Sequence, residues 1–368
     1  MKLHVISFDV PWPANYGGVI DVYNRLEALN QYGFEIILHA YDYGRGKQEE
    51  LLKLCSEVHY YKRKSRAIGL LKKDPMIIST RDSKELLHLL QKDEYPILFE
   101  GQHTTSFLDH PTLGNRKKLV RLHNIEHEYY SGLLEGTGSS GKSIYFKREA
   151  EKLKQHEPIL KHADQLLCIT QKDTEYYQKK FGNASYLPVA IKCKEKKTVK
   201  TSDRPYFLYH GNLSVEENIN AAKWLLGNIC QNIDKNFIFA GKEPSRNLEQ
   251  LISKHPNVSL IENPSQELMQ QLITNAVAHV FYTNQATGIK IKLLNALCSG
   301  LPIFCNSLMV EGTDLDKACI VNDDPEGYVA ALNYQINVGF KNEAPNRKDL
   351  LEIYSYNSHA EKLKTFLQ

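Results

Sequence analysis

Two doubly wound α/β domains are the fold class that this sequence predicts, and three observations carry it. Short β-rich apolar runs alternate with segments of helical period along almost the whole chain, the pattern of parallel sheets crossed by helices. The length, 368 residues, exceeds one ordinary core and suits two. From Pro188 to Pro205 the apolar pattern stops and lysines take over (KCKEKKTVKTSDRP), which marks a linker.

The first strands read Leu3 to Phe8, Glu35 to His39, Val58 to Tyr61, Ile97 to Phe99, Leu119 to Leu122, Gln165 to Ile169 and Ala184 to Leu187. Between the first two, Val19, Val22, Leu26 and Leu29 share one helical stripe, and Gly33 stops that helix. The second series reads Tyr206 to Tyr209, Phe237 to Ala240, Val258 to Ile261, Val277 to Phe281 and Pro302 to Cys305, with helices starting near Asn218, Asn247, Gln266 and Ile289. A core-like helix follows from Pro325 to Asn337, and the pattern stays helical from Arg347 to Gln368. Domains are therefore expected over 1–190 and 203–345, with 346–368 as a C-terminal helix. Doubly wound domains bind ligands at the carboxyl ends of their strands, and two that face each other hold the site in a central cleft.

Composition bounds the function. Hydrophobic residues at 42% and charged residues at 24% predict a soluble globular protein, neither disordered nor fibrous. A net charge of +3 is too small to imply nucleic acid as a partner. Seven cysteines (55, 168, 193, 230, 298, 305 and 319) are odd in number, lack metal-ligand spacing and read as reduced thiols of a cytoplasmic protein. The opening MKLHVISFDV, broken by Asp9 and Pro11, reads as a first strand rather than a signal peptide, and no apolar run reaches membrane-spanning length.

Candidate sites lie in loops that follow strands. Asn15, Tyr16, Gly17 and Gly18 stand where the first loop becomes a helix, a place where backbone N–H groups can meet a sugar or phosphate. His123 directly follows a strand, with Glu126 close behind, and suits contact with a sugar or a leaving phosphate. The run from His123 to His127 also satisfies H-x-x-E-H, but a zinc site needs both histidines on one helix. Residues 136–143 satisfy the phosphate-loop expression without the strand that must precede it. In the second half, Gly211 and Asn212 follow one strand, and Gly241 and Lys242 follow the next. Thr287, Gly288, Ile289, Lys290 and Lys292 open a helix, and the three loops together make a cradle for a diphosphate. Asp314 and Asp316 sit in a polar loop, not at a strand end, and are discounted as a metal-holding pair.

At this point the residues resemble a family. The run from Thr287 to Pro302 is similar to the donor-site helix of GT-B glycosyltransferases, especially the retaining family 4 (group 1) enzymes. The Gly17–Gly18 loop, His123 and the His210–Asn212 segment fall where that family has other characteristic loops. The resemblance implies a hexosyltransferase of polysaccharide biosynthesis. It would move sugar from a UDP- or GDP-linked donor to a glycan or lipid-linked acceptor with retention, needing no metal or other cofactor. Catalytic roles would fall to His123, Glu126 and Lys292. The donor would be held by Gly211, Asn212, Gly241, Lys242, Thr287, Gly288, Ile289, Lys290, Lys292 and Asn295, and the acceptor loop would be residues 15–18. The family's C-terminal helix crosses back to the first domain. One departure stands out, since the two family glutamates fall on Thr287 and Asn295, and Asn295 can hold a ribose hydroxyl only as a neutral partner. A GT-B epimerase and a non-catalytic scaffold stay open as alternatives. Finally, residues 60–73 pack six cations around Ile68, Leu70 and Leu71, which suits peripheral attachment to an anionic membrane.

Overall fold

A computed structural model of the chain describes residues 1–65, 73–135, 140–193, 205–285, 291–339 and 347–368. The chain divides into two compact units, 1–190 with 354–368, and 191–353. The first holds a parallel sheet of β1 (Lys2–Ser7), β2 (Glu35–Asp42), β3 (Glu57–Lys62), β4 (Ile97–Glu100), β5 (Lys118–Leu122), β6 (Gln165–Cys168) and β7 (Ala184–Tyr186), in the order β3-β2-β1-β4-β5-β6-β7. The second holds β8 (Tyr206–Asn212), β9 (Asn236–Lys242), β10 (Val258–Glu262), β11 (Ala278–Val280), β12 (Ile303–Cys305) and β13 (Ile320–Val321), ordered β10-β9-β8-β11-β12-β13. Both are doubly wound sheets, as the alternating pattern predicts.

The helices of the first unit are α1 (Gly17–Gln31), α2 (Met76–Ser79), α3 (Lys84–Leu90), α4 (Glu126–Glu135), α5 (Ser140–His156) and α6 (Gln171–Phe181). Those of the second are α7 (Glu216–Asn228), α8 (Arg246–Ile252), α9 (Gln266–Asn275), α10 (Ile291–Ser299), α11 (Ser307–Val310), α12 (Pro325–Val338) and α13 (Arg347–Ile353), and α14 (Tyr356–Leu367) belongs again to the first. Helix α1 buries its predicted stripe, Val19, Val22, Leu26 and Leu29, against β1 and β2, and Gly33 adopts a φ of 81° just beyond its end. The single C-terminal helix expected over 346–368 is two helices. Tyr354 and Ser355 break it, Ser355 capping α14 by accepting from Ser358 N–H, and α13 packs instead within the second unit. No described helix is long and apolar enough to cross a membrane.

Candidate functional site

In each sheet one strand is flanked by two from which the chain departs in opposite directions, β1 beside β4 and β8 beside β11. Doubly wound sheets bind ligands at the carboxyl ends of their strands, and the candidate residues lie at such ends, of β1, β5, β8, β9 and β11.

In the first unit Gly17 and Gly18 form the start of α1, whose leading N–H groups have no intrahelical partners. The loop before them is tied down. Tyr16 donates to Asp9 Oδ2 at 2.7 Å, Asn15 Oδ1 accepts from both terminal nitrogens of Arg45 at 3.0 Å, and that guanidinium lies 5.6 Å over the Tyr16 ring. Phe8 packs between His103 and His123, with ring centroids at 5.2 and 5.5 Å. Beneath them Arg81 donates to the carbonyls of Phe8 and Ile77. Glu126, the first residue of α4, is buried 3.9 Å from His103. Burial raises its carboxyl to about 7 against the opposing pull of His123, so it can take or release a proton near neutrality. Burial also keeps His103 well below the ordinary histidine value, with Arg81 and His123 adding to the effect.

His123 stands over a buried charge network. Arg25 grips Glu100 with one nitrogen at 2.7 and 2.9 Å and Asp21 with another at 2.5 Å, while its Nε donates to His359 on α14. Arg121 donates to both Asp21 oxygens at 3.2 and 3.3 Å and to the Leu187 carbonyl. His123 Nε2 lies 3.3 Å from Asp21 Oδ2 and 3.6 Å from Glu100 Oε2, at ion-pair distance. Burial disfavours charge on that imidazole, but the two carboxylates outweigh it and raise its proton affinity. Burial likewise works against the Asp21 carboxylate, and Arg121 and Arg25 still hold it well below the usual carboxylate range. Asp21, Glu100 and His123 place one ligand atom each within 4.8 Å of one another, a metal-like geometry. Arg25 and Arg121 already donate to these carboxylate oxygens, so they are not open to bind a metal ion.

In the second unit Lys292, on the first turn of α10, donates to Asn218 Oδ1 at 2.7 Å and lies 5.5 and 5.9 Å over the rings of Tyr209 and Phe281. Asn218 in turn donates to the Asn212 carbonyl, so α7 and α10 are tied to the end of β8. Asn212 spends its side-chain oxygen on the Ser214 N–H and hydroxyl. Gly211 and Gly241 face each other in the β8–β9 ladder, Lys242 is exposed at its end, and Asn295 is exposed one helical turn beyond Lys292. His210 is buried with Nε2 unpartnered, and burial with Lys292 nearby lowers it to about 3. Thr287, Gly288, Ile289 and Lys290 lie outside the described residues.

The structure thus brings together His123 and Glu126 in one unit and Gly211, Asn212, Gly241 and Lys292 in the other. His127 turns away to Glu157, at 3.3 Å, which leaves the H-x-x-E-H run without zinc geometry. Residues 136–139 of the phosphate-loop expression and 66–72 of the basic run are outside the described residues. Of that run's cations, Lys64 pairs with Asp82 at 2.9 Å and Arg63 lies 4.5 Å over Tyr43. The reading of all seven cysteines as thiols is corrected, because Cys193 and Cys298 form a disulfide with Cα atoms 5.1 Å apart. Their separation of 105 residues gives no spacing signal, and the pair removes the cysteine argument for a reducing compartment. Sequence reasoning missed Asp21, Arg25, Glu100, His103 and His359. A signal existed for Arg121, a charge inside the apolar strand KLVRL.

Comparison with known proteins agrees with this layout. Residues 204–337 match the family model for glycosyl transferases group 1. An uncharacterized 44.6 kDa protein from the cps region of Klebsiella pneumoniae is 28% identical over 367 residues, covering 94% of each chain. Sucrose-phosphate synthase from Thermosynechococcus elongatus superposes with a TM-score of 0.74 at 13% identity, over 99% of this chain and 98% of that one. The lipopolysaccharide outer core galactosyltransferase WaaB gives 0.67 at 14% identity, over 100% and 99%. HepE of Anabaena, solved with UDP, gives 0.70 at 10% identity, again over 100% and 99%. With two parallel doubly wound units of this topology, the chain has the GT-B fold, and its residues 204–337 are similar to the glycosyl transferases group 1 family.

Proposed function

We propose that the protein is a retaining hexosyltransferase that takes sugar from a UDP- or GDP-linked donor and needs no metal. The observation that carries this reading is the similarity of 204–337 to the group 1 family, in a stretch whose strand-end loops gather Lys292, Asn218 and Gly211. A departing diphosphate requires positive charge and aligned N–H groups. Lys292 supplies the first, and the start of α10 supplies the second. On the first unit, the α1 start at Gly17 and Gly18, with His123 and Glu126, would receive a glycan or lipid-linked acceptor. The relative from a cps region supports a role in polysaccharide biosynthesis. We take the location to be cytoplasmic, with peripheral membrane attachment through residues 60–73.

Calorimetric titration with UDP and GDP tests the reading. One of the two should bind, Lys292→Ala should weaken it about tenfold or more, and excess chelator should change nothing. Equal binding by parent and variant would move the site elsewhere, and a manganese requirement would remove the metal-free mechanism. Sedimentation with anionic vesicles tests the attachment, which should weaken with salt.

A further inference from the structure

Charged side chains seldom occupy the core of a parallel sheet, because desolvating each one costs several kcal/mol. Here Asp21 and Arg25 of α1, Glu100 of β4 and Arg121 of β5 are all buried, and the two carboxylates, each held by a guanidinium, face one edge of one imidazole. Asp21 Oδ2 accepts from Arg25 and Arg121 and lies 3.3 Å from His123 Nε2, at ion-pair distance, and Glu100 Oε2 accepts from Arg25 while facing the same His123 nitrogen. His359 closes the network from α14, accepting from Arg25 and donating through Nδ1 to the Pro188 carbonyl at 3.0 Å. Packing alone would be served as well by apolar residues of similar volume. Two carboxylates balance two guanidiniums, so a proton on His123 is the surplus charge of the cluster. The ring remains partly exposed, side-chain exposure being 11%, and its Nε2 edge is the one turned to the carboxylates.

We propose that Asp21 and Glu100 are positioning residues for His123: they grip the ring through Nε2 and leave Nδ1 as a charged hydrogen-bond donor to a substrate oxygen. The role rests on the glycosyl-transfer reading, under which that oxygen belongs to a sugar hydroxyl or a phosphate. It assigns His123 to electrostatic stabilisation and leaves proton transfer to Glu126. Other groups bear on the ring as well, since Arg81 and His103 lie on the Phe8 side and Glu126 follows on α4.

The test is nitrogen-resolved NMR of the His123 ring, titrated from about pH 5 to about pH 9. In the parent protein the ring should keep its proton above the ordinary histidine value. Asp21→Asn and Glu100→Gln should each lower its proton affinity about tenfold or more, whereas Asp93→Asn, beside His4, should leave it alone. A parent ring that titrates at or below the ordinary value overturns the proposal, and that measurement needs no variant to fold. Retention of the parental affinity in both His123-facing variants overturns it too, whether or not the protein transfers sugar. In a transfer assay the rate should fall as pH rises through the His123 titration, and Asp21→Asn should move that fall to lower pH. A merely structural Asp21 would instead lower the rate equally at every pH. Inorganic phosphate and glucose, added separately, distinguish the two oxygen sources by which of them shifts the Nδ1 resonance, and a ring that neither one moves refutes a substrate contact.

Discussion

A β-carbon added to Gly241 would lie 2.0 Å from the carbonyl oxygen of Gly211 and 2.8 Å from Leu213 Cγ. Gly241, expected from the sequence as one of the strand-end residues of a diphosphate cradle, is therefore required first by the approach of one strand to another. Gly241→Ala should cost about 1–3 kcal/mol in urea unfolding, because β8 and β9 must part to admit the methyl group. Lys242→Ala, exposed at the same strand end, should stay within about 0.5 kcal/mol. Parental stability of the glycine variant would rule out the clash. Single residues were legible where local pattern determines their place: Gly17 and Gly18 start a helix, and His123 directly follows a strand. The partners of His123 were not, because Asp21 and Arg25 are a charged i, i+4 pair that looks solvent-facing in a helix, and only the strands beneath reveal that both are buried.

At the level of elements, β1, β2 and β3 are threaded by a polar line. Asp93 meets His4 at 3.0 Å, His4 meets His39 at 2.8 Å, and His39 meets the Tyr61 hydroxyl at 2.8 Å. Burial holds His4 below its ordinary value and His39 well below, His39 with further lowering from His4, and the same desolvation first holds His279 and His359 well below theirs. These rings are neutral when folded and free to charge when unfolded, so the unfolded state binds more protons below its own value of about 6.5. The contribution of these rings should be flat above that pH and fall beneath it, by up to about 1.4 kcal/mol per pH unit for each, until the folded values are reached, while His123 and Glu126, whose folded proton affinities are raised, act in the opposite sense. Urea midpoints measured down the pH scale check this, and His39→Gln should shallow the slope. A midpoint independent of pH between about 6.5 and about 5 would contradict it. The strands themselves could be read because parallel strands are apolar on both faces. β13 escaped, with only Ile320 and Val321 to mark it, and the ends of β8 and β9 ran past their apolar cores because His-Gly-Asn and Gly-Lys continue the ladder.

For the whole molecule, the division into two units was visible in the lysine-rich break, and the order of the strands follows from the rules of crossover connections. What no local pattern could disclose is which distant segments meet, as with Cys193 and Cys298, or α14 with α1. Ala360, Leu363 and Leu367 of α14 join the core made by Val22, Leu26 and Leu29, and each buried leucine contributes about 1.5–3 kcal/mol. A chain shortened after Ile353 should therefore lose hydrogen-exchange protection in α1 while α7 and α10 keep theirs. Full protection of α1 without α14 would show that the first unit is self-sufficient. Translation order then acquires a meaning. The ribosome makes residues 191–353 between the two pieces of the first unit, an interval on the order of ten seconds or more at ordinary elongation speed. Through that interval α1 lacks the cover of Ala360, Leu363 and Leu367 and Arg25 lacks His359, while the later-made unit already has every residue it needs. The half of the protein that is synthesised first is in this way the half that finishes folding last.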